Sequence, residues 1–126
     1  MREAFFDIRE FLNYQTRKKI TQKQREKIKR GRQFVKKAID NNQTIYGINT
    51  GFGSLCNVQV ANEHLAKLQQ NLVLSHACGT GEKVRDTIVK LMMFLKIQSL
   101  SYGYSGVSLE LVERLIFLYN HDIIPI

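Results

Sequence analysis

Residues 46–53 read Tyr-Gly-Ile-Asn-Thr-Gly-Phe-Gly and lie between two segments with helical patterns. Three of the eight glycines in the chain fall in this short stretch. Only glycine adopts positive φ angles without a steric cost, so this density predicts an irregular loop. We expect Ile45, Ile48 and Phe52 to anchor the loop in a core. In one interpretation, the glycines let the loop move, so that the phenol of Tyr46 can approach a substrate and withdraw. In the simpler interpretation, the segment is a plain connecting loop.

The remainder of the chain has a helical pattern almost throughout. Apolar residues recur at helical spacing in segments 5–14, 22–41, 62–74, 84–102 and 109–120. Residues 54–61 show no such period and are predicted to be irregular, and the tail after residue 120 is predicted to be extended. No segment repeats, and the single proline leaves no linker-like stretch. The predicted fold class is therefore mainly α, in one domain covering residues 1–126.

Helix ends are marked by residues whose side chains or backbone suit a cap. Thr21 and Gln24 form a capping-box pattern, in which each side chain satisfies a free backbone N–H. Asn62 and Ser108 are candidate N-caps, and Gly103 stands where a helix end favours positive φ. The predicted inward faces are Ile28, Val35, Ala38 and Ile39; Leu65, Leu68 and Leu72; Val84, Ile88, Leu91, Met92, Leu95, Ser99 and Tyr102; and Leu111, Val112, Leu115, Ile116 and Tyr119.

The charge is concentrated in one segment. The formal net charge is +8, and residues 17–37 contain eleven Lys or Arg against the single acid Glu26. A basic helix can bind phosphate, but this one has almost no aromatic residues between its charges and no known reading motif. We interpret it as a solvated helix face. Weak, salt-sensitive binding to nucleic acid is the alternative.

Composition narrows the class of protein. The 126 residues are 44% hydrophobic and include no apolar run long enough for a membrane span. The N-terminus lacks the apolar region of a secretory signal. Cys56 and Cys78 lie 22 residues apart with no Cys-x-x-Cys pattern, so we expect free thiols in a reducing compartment and no metal site. These features together indicate a cytoplasmic protein.

His76 is the histidine with the most suggestive surroundings. Small or polar residues flank it at a predicted helix break, which suits a proton carrier or a substrate partner. A structural histidine is the default interpretation. A tyrosine such as Tyr46 acts as a base near neutral pH only where its phenolate is stabilised. A pairing of Tyr46 with His76 is plausible, but their spacing in the sequence does not establish it.

Three ordered motifs carry a resemblance to a known family. They are the loop Tyr46–Gly53, the segment Leu68–Glu82, which includes Ser75-His76-Ala77-Cys78-Gly79, and the segment Tyr104–Ile126. In this order and spacing, the chain resembles the aromatic amino acid lyases, and within them the histidine ammonia-lyases most closely. The similarity is weakest before residue 44. It implies the helical ammonia-lyase fold and the elimination of ammonia from L-histidine to give urocanate.

The resemblance also implies roles for individual residues. Tyr46 matches the loop tyrosine that removes the β-proton of the substrate. Ser75 and His76 match the pair that favours histidine, with His76 contacting the substrate imidazole; relatives specific for tyrosine or phenylalanine typically have leucine in place of His76. The mobile loop would comprise Gly47, Asn49, Thr50, Gly51 and Gly53.

The family's cofactor and assembly are a further part of the resemblance. The cofactor is a methylidene-imidazolone (MIO), formed from an internal Ala-Ser-Gly that does not occur in these 126 residues. The family pattern also implies a homotetramer, with active sites built from several subunits around a central helical bundle.

We therefore expect the chain to be an N-terminal part of such a lyase, without the central bundle and inactive alone. The uncovered apolar tail 123–126 agrees with that expectation. The alternatives are a free-standing helical interaction module, for instance one that pairs with a separate C-terminal chain, or a lyase for tyrosine or phenylalanine. Nucleic acid is an unlikely partner, and no membrane partner is expected.

Overall fold

A computed structural model describes residues 17–125, and the helix predicted at 5–14 lies outside them. Four α-helices make up the described chain: α1 (Gln22–Asp40), α2 (Leu65–His76), α3 (Asp86–Ser101) and α4 (Leu109–Asn120). Two 3₁₀ turns, Gly53–Leu55 and Asn62–His64, lie between α1 and α2. Within residues 17–125, β pairing is limited to one isolated bridge between Thr50 and Gln59. The prediction of a mainly α fold is confirmed.

Helix α1 begins and ends as its sequence predicts. The backbone N–H of Thr21 donates to Gln24 Oε1 at 2.8 Å, and the N–H of Gln24 donates to Thr21 Oγ1 at 3.2 Å. This reciprocal pair is the predicted capping box. At the other end Asn42 adopts a φ of 55°, and Gln43 N–H donates to the Ala38 carbonyl at 2.9 Å. A residue in the left-handed conformation, followed by an N–H that bonds to a carbonyl five residues earlier, is a common C-terminal cap of α-helices.

The described chain divides into two compact units, one formed by residues 17–33 and 83–125 and the other by Phe34–Glu82. We refer to them as unit 1 and unit 2. Unit 1 has a core in which α3 and α4 pack together. Its buried side chains are Met93, Phe94, Ile97 and Tyr119 in one cluster and Ile28, Leu100 and Val112 in another. That the whole of residues 1–126 forms one N-terminal lyase domain stays a prediction.

The predicted inward face of α3 is wrong. The buried positions are Met93, Phe94, Ile97, Leu100 and Ser101, whereas Met92 is 61% exposed and most of the predicted stripe lies near the surface. Apolar residues occur on nearly every side of this helix, so its pattern does not single out one face. Contact with α4 decides which residues are buried.

Helix α4 has the predicted bounds, and its N-cap is the predicted Ser108. The Ser108 hydroxyl accepts a hydrogen bond from the Leu111 N–H at 3.2 Å. Val112 and Tyr119 are buried as predicted, and Leu115 and Ile116 are half-buried. The sequence predicts that Leu111 faces inward, but its side chain is 46% exposed.

Close backbone contact in unit 1 depends on a glycine in α1. A Cβ added at Gly31 would lie 2.0 Å from the carbonyl oxygen of Gly103. Gly103 itself has a φ of 80° and follows α3, as predicted for a helix C-terminus. A side chain at residue 31 would therefore force two backbone segments apart.

Unit 2 contains α2 and the loop that precedes it. Asn62 was predicted to be the N-cap of this helix, but it begins the 3₁₀ turn, and the α-helix starts three residues later at Leu65. Leu65, Leu68 and Leu72 are half-buried, and no residue of α2 is fully buried. Among residues 17–125, no helix combines the length and the apolar character needed to cross a membrane.

Candidate active site

The loop at 46–53 is a compact turn rather than an extended connection. Gly47 and Gly53 have φ angles of 69° and 56°, in the left-handed region that favours glycine. A Cβ added at Gly47 would lie 2.7 Å from Cε1 of Phe52. Gly47 therefore allows both the turn and the approach of the Phe52 ring.

Buried polar side chains anchor the loop. Asn49 and Thr50 have no exposed surface. The Asn49 Oδ1 accepts from Ile45 N–H at 2.7 Å, and its Nδ2 donates to the Gln43 carbonyl at 2.8 Å. The Thr50 hydroxyl accepts from Gly47 N–H at 3.2 Å. These bonds satisfy backbone groups that a turn leaves unpaired.

The predicted apolar anchoring of this loop is wrong. Ile45 and Ile48 are only half-buried, and Phe52 is 40% exposed. Hydrophobic pattern alone ranks apolar residues as core, and it does not detect an asparagine and a threonine that replace missing backbone hydrogen bonds. Whether the predicted mobile residues, Asn49 and Thr50 included, move during a reaction stays a prediction.

Tyr46 presents its phenol to solvent. Its side chain is 62% exposed, and its ring centroid lies 5.5 Å from that of Phe52 in a tilted arrangement. Within residues 17–125 the hydroxyl has no hydrogen-bond partner. The phenol is therefore available to a group that comes from outside unit 2.

Ser75 and His76 occupy the last turn of α2. The Nδ1 of His76 lies 2.8 Å from the Leu72 carbonyl, which can only accept. Nδ1 therefore carries a hydrogen, and Nε2 is the ring nitrogen left to bond a ligand. The Ser75 hydroxyl lies 3.0 Å from both the Leu72 carbonyl and His76 Nδ1, so it shares the bond that orients the ring.

The fold brings Tyr46 and His76 to the same phenylalanine. The Phe52 ring meets the His76 ring edge to face, with centroids 5.4 Å apart and planes at 81°. Tyr46 contacts the same Phe52 ring. The three rings thus form an aromatic array on the surface of unit 2. From the sequence, Phe52 is expected only to anchor the loop, and no sequence signal indicates that it joins the other two rings.

Gln69 is a second residue whose role the sequence did not reveal. It lies in α2 and donates through Nε2 to the carbonyl oxygens of Gly47 and Ile48, both at 3.0 Å. The helix that carries Ser75 and His76 is thereby bonded directly to the loop that carries Tyr46.

Cys56 and Cys78 are free thiols, as the sequence predicts. Residues 17–125 contain no group of three or more His, Cys, Asp or Glu side chains that could hold a metal ion.

A family model described as aromatic amino acid lyase matches residues 5–126. The chain belongs to that family. Two histidine ammonia-lyases of Legionella pneumophila are similar to it along most of its length. The strain Paris protein is 55% identical over 100 residues, which is 79% of this chain and 20% of that protein. The strain Philadelphia 1 protein is 47% identical over 122 residues, 97% of this chain and 24% of that protein.

Solved structures of aromatic amino acid lyases and aminomutases have the same fold. Pantoea agglomerans phenylalanine aminomutase superposes with a TM-score of 0.82 at 29% identity, over 90% of this chain and 22% of that one. Trypanosoma cruzi histidine ammonia-lyase gives 0.71 at 31% identity, over 86% of this chain and 21% of that one. The lyase segment described here therefore spans between a fifth and a quarter of the length of these relatives.

Proposed function

We propose that this segment supplies the base and the substrate-side-chain contact of a histidine ammonia-lyase, which converts L-histidine to urocanate and ammonia in cytoplasmic histidine catabolism. The observation that carries the proposal is the aromatic array, in which Phe52 contacts both Tyr46 and His76. Identities of 47–55% to histidine ammonia-lyases support the choice of reaction.

Tyr46 acts as the base in this proposal. Its phenolate removes the β-proton, the C–H electron pair forms the Cα=Cβ double bond, and the amine leaves from Cα as ammonia. The Tyr46 hydroxyl is exposed and has no hydrogen-bond partner within residues 17–125, which supports this role, because a phenol already bonded there would be less able to reach a substrate.

His76 and Ser75 select the substrate. The Nε2 of neutral His76 accepts a hydrogen bond from the imidazole N–H of L-histidine, while Leu72 and Ser75 hold Nδ1. A site built to hydrogen-bond a polar side chain discriminates strongly against analogues that lack it. Phenylalanine has no donor on its ring, so this arrangement favours histidine over phenylalanine. The tyrosine hydroxyl can also donate to Nε2, so this contact alone does not select histidine over tyrosine.

The MIO cofactor of this family would supply an electrophile for the departing amine. These 126 residues contain no Ala-Ser-Gly, so the cofactor would have to form from a tripeptide outside them. We expect the 126-residue polypeptide alone to be inactive, and to work within a homo-oligomer, a tetramer in the family pattern.

The basic segment 17–37 does not change this proposal. Two of its basic side chains make contacts within unit 1. Arg25 forms an ion pair with Glu113, and Lys18 Nζ lies 4.2 Å from the centre of the Phe94 ring. DNA binding that weakens steeply with salt would favour the nucleic-acid alternative.

The test is urocanate absorbance after L-histidine is added to the purified chain, with and without a polypeptide that carries Ala-Ser-Gly. We expect activity only with both, loss of it in Tyr46→Phe, and a large rise in KM for L-histidine in His76→Leu. Parallel assays with L-tyrosine and L-phenylalanine test the alternative substrates. Urocanate formed by the 126 residues alone would contradict the expected inactivity. Stable pairing of the two polypeptides without turnover of any of the three amino acids would favour an interaction module.

A further inference from the structure

The bonds of Gln69 join the two parts of the candidate site. Gln69 lies seven positions before His76 in α2, and its amide nitrogen is 3.0 Å from the carbonyl oxygens of both Gly47 and Ile48. Those carbonyls directly follow Tyr46 in the chain. A carboxamide has two N–H donors, so one side chain can serve both carbonyls.

The other hydrogen-bonding side chains of the loop bond only to nearby residues. Asn49 bonds to Ile45 and Gln43, and Thr50 bonds to Gly47. These contacts fix the shape of the turn. Within residues 17–125, the hydrogen bonds that connect this turn to α2, the helix that ends in His76, are those of Gln69.

We propose that Gln69 is a positioning residue, which holds the Tyr46 loop at a fixed distance from His76 so that base and substrate contact act on one bound molecule. The inference rests on the proposed function, since it takes Tyr46 as the base. Gln69 does not touch the substrate in this scheme. It acts through the Gly47 and Ile48 carbonyls.

Position matters because proton transfer needs the base within hydrogen-bond reach of the β-carbon proton. A displacement of about 1 Å can cost a reaction about 100-fold in rate. Substrate binding through His76 does not require the loop bonds. Loss of the Gln69 donor should therefore lower kcat and leave KM for L-histidine nearly unchanged.

The experiment compares Gln69→Glu with Gln70→Glu. Glutamate has the shape of glutamine but lacks the N–H donors, and its carboxylate repels the two carbonyl oxygens. Gln70 is the adjacent, exposed helix position, and its side chain only accepts from Lys67 Nζ at 3.3 Å. The two variants thus add the same charge to the same helix, and only one breaks the bonds to the loop.

Two readouts are measured. Carbonyl ¹³C chemical shifts of Gly47 and Ile48 in the 126-residue chain report the hydrogen bonds without any catalysis. The kcat and KM for L-histidine are measured with the Ala-Ser-Gly polypeptide present. We expect both shifts to move upfield in Gln69→Glu alone, together with a fall in kcat of about 10- to 100-fold and little change in KM.

The outcomes separate this inference from the proposed function. Unmoved carbonyl shifts in Gln69→Glu overturn the inference whether or not the lyase is active. The inference is also overturned if the carbonyl shifts move in Gln69→Glu but its kcat equals that of the Gln70→Glu control, because the bonds would then be structural only. If the unchanged chain forms no urocanate in any combination, the proposed function fails, and the catalytic purpose of Gln69 fails with it even where the shifts move.

Discussion

Gly31→Ala should destabilise unit 1, although alanine is the better helix former. An added Cβ would lie 2.0 Å from the Gly103 carbonyl oxygen, whereas real Cβ contacts are at least 3.0 Å, so the two segments must separate by about 1 Å. The obstructing atom belongs to the backbone and cannot rotate away. The neighbouring Gly103 is equally constrained, because a Cβ there would lie 2.5 Å from the Lys27 carbonyl oxygen.

Two opposing terms set the size of the effect. Replacing glycine by alanine within a helix is favourable by about 1 kcal/mol. Overpacking a close contact costs about 1–3 kcal/mol, and a backbone obstruction belongs at the upper end of that range. The clash therefore wins, with a net loss in the free energy of unfolding of about 2 kcal/mol.

Chemical denaturation followed by circular dichroism measures this difference. Gly79→Ala is the matched control, because an added Cβ at Gly79 meets nothing within 4 Å. We expect the midpoint to fall for Gly31→Ala and to stay close to wild type for Gly79→Ala. A Gly31→Ala chain as stable as the control would show that residues 31 and 103 do not approach as closely as described.

Two further predictions concern buried polar groups. Asn49→Ala leaves the Ile45 N–H and the Gln43 carbonyl without their partner, which should cost about 2 kcal/mol locally and speed amide exchange at Ile45 about 30-fold. The exposed Asn41→Ala is its control, and equal exchange rates in the two variants would refute the anchoring role. Burial raises the pKa of Tyr119 above 10.0, with Lys90 opposing the rise and Asp122 adding to it. Because the unfolded chain then loses the phenolic proton first, the stability that Tyr119 contributes is present below about pH 10 and falls as the pH rises further. Tyr119→Phe should reduce the fall in the free energy of unfolding at alkaline pH, whereas Tyr104→Phe, at an exposed site, should not.

Helix positions and ends could be predicted because their causes are local. The Thr21–Gln24 capping box, the Ser108 N-cap and the glycine at 103 all occur where the sequence places them. Each satisfies backbone groups within a few residues, so a short window of sequence contains all the information. Asn62 is the exception, because a 3₁₀ turn intervenes before the α-helix begins.

The buried face of α3 could not be predicted from its own sequence. A helix that is apolar on most sides has several candidate faces, and contact with α4 determines that Phe94 and Ile97 are buried while Met92 is exposed. The burial of Asn49 in the loop was missed for a different reason, because hydrophobic pattern does not detect a carboxamide that bonds nearby backbone groups.

The sequence by itself determined the helical fold class, the family, and Tyr46 and His76 as candidates, because residue types and motif order are properties of the chain. Only the tertiary structure decided that both rings contact Phe52 and that Gln69 bonds the loop to α2. The contacts of the loop with His76 and Gln69 join residues more than twenty positions apart in the chain. Such pairs meet only after the turn has formed and docked on the helix, so no local pattern can encode their distance.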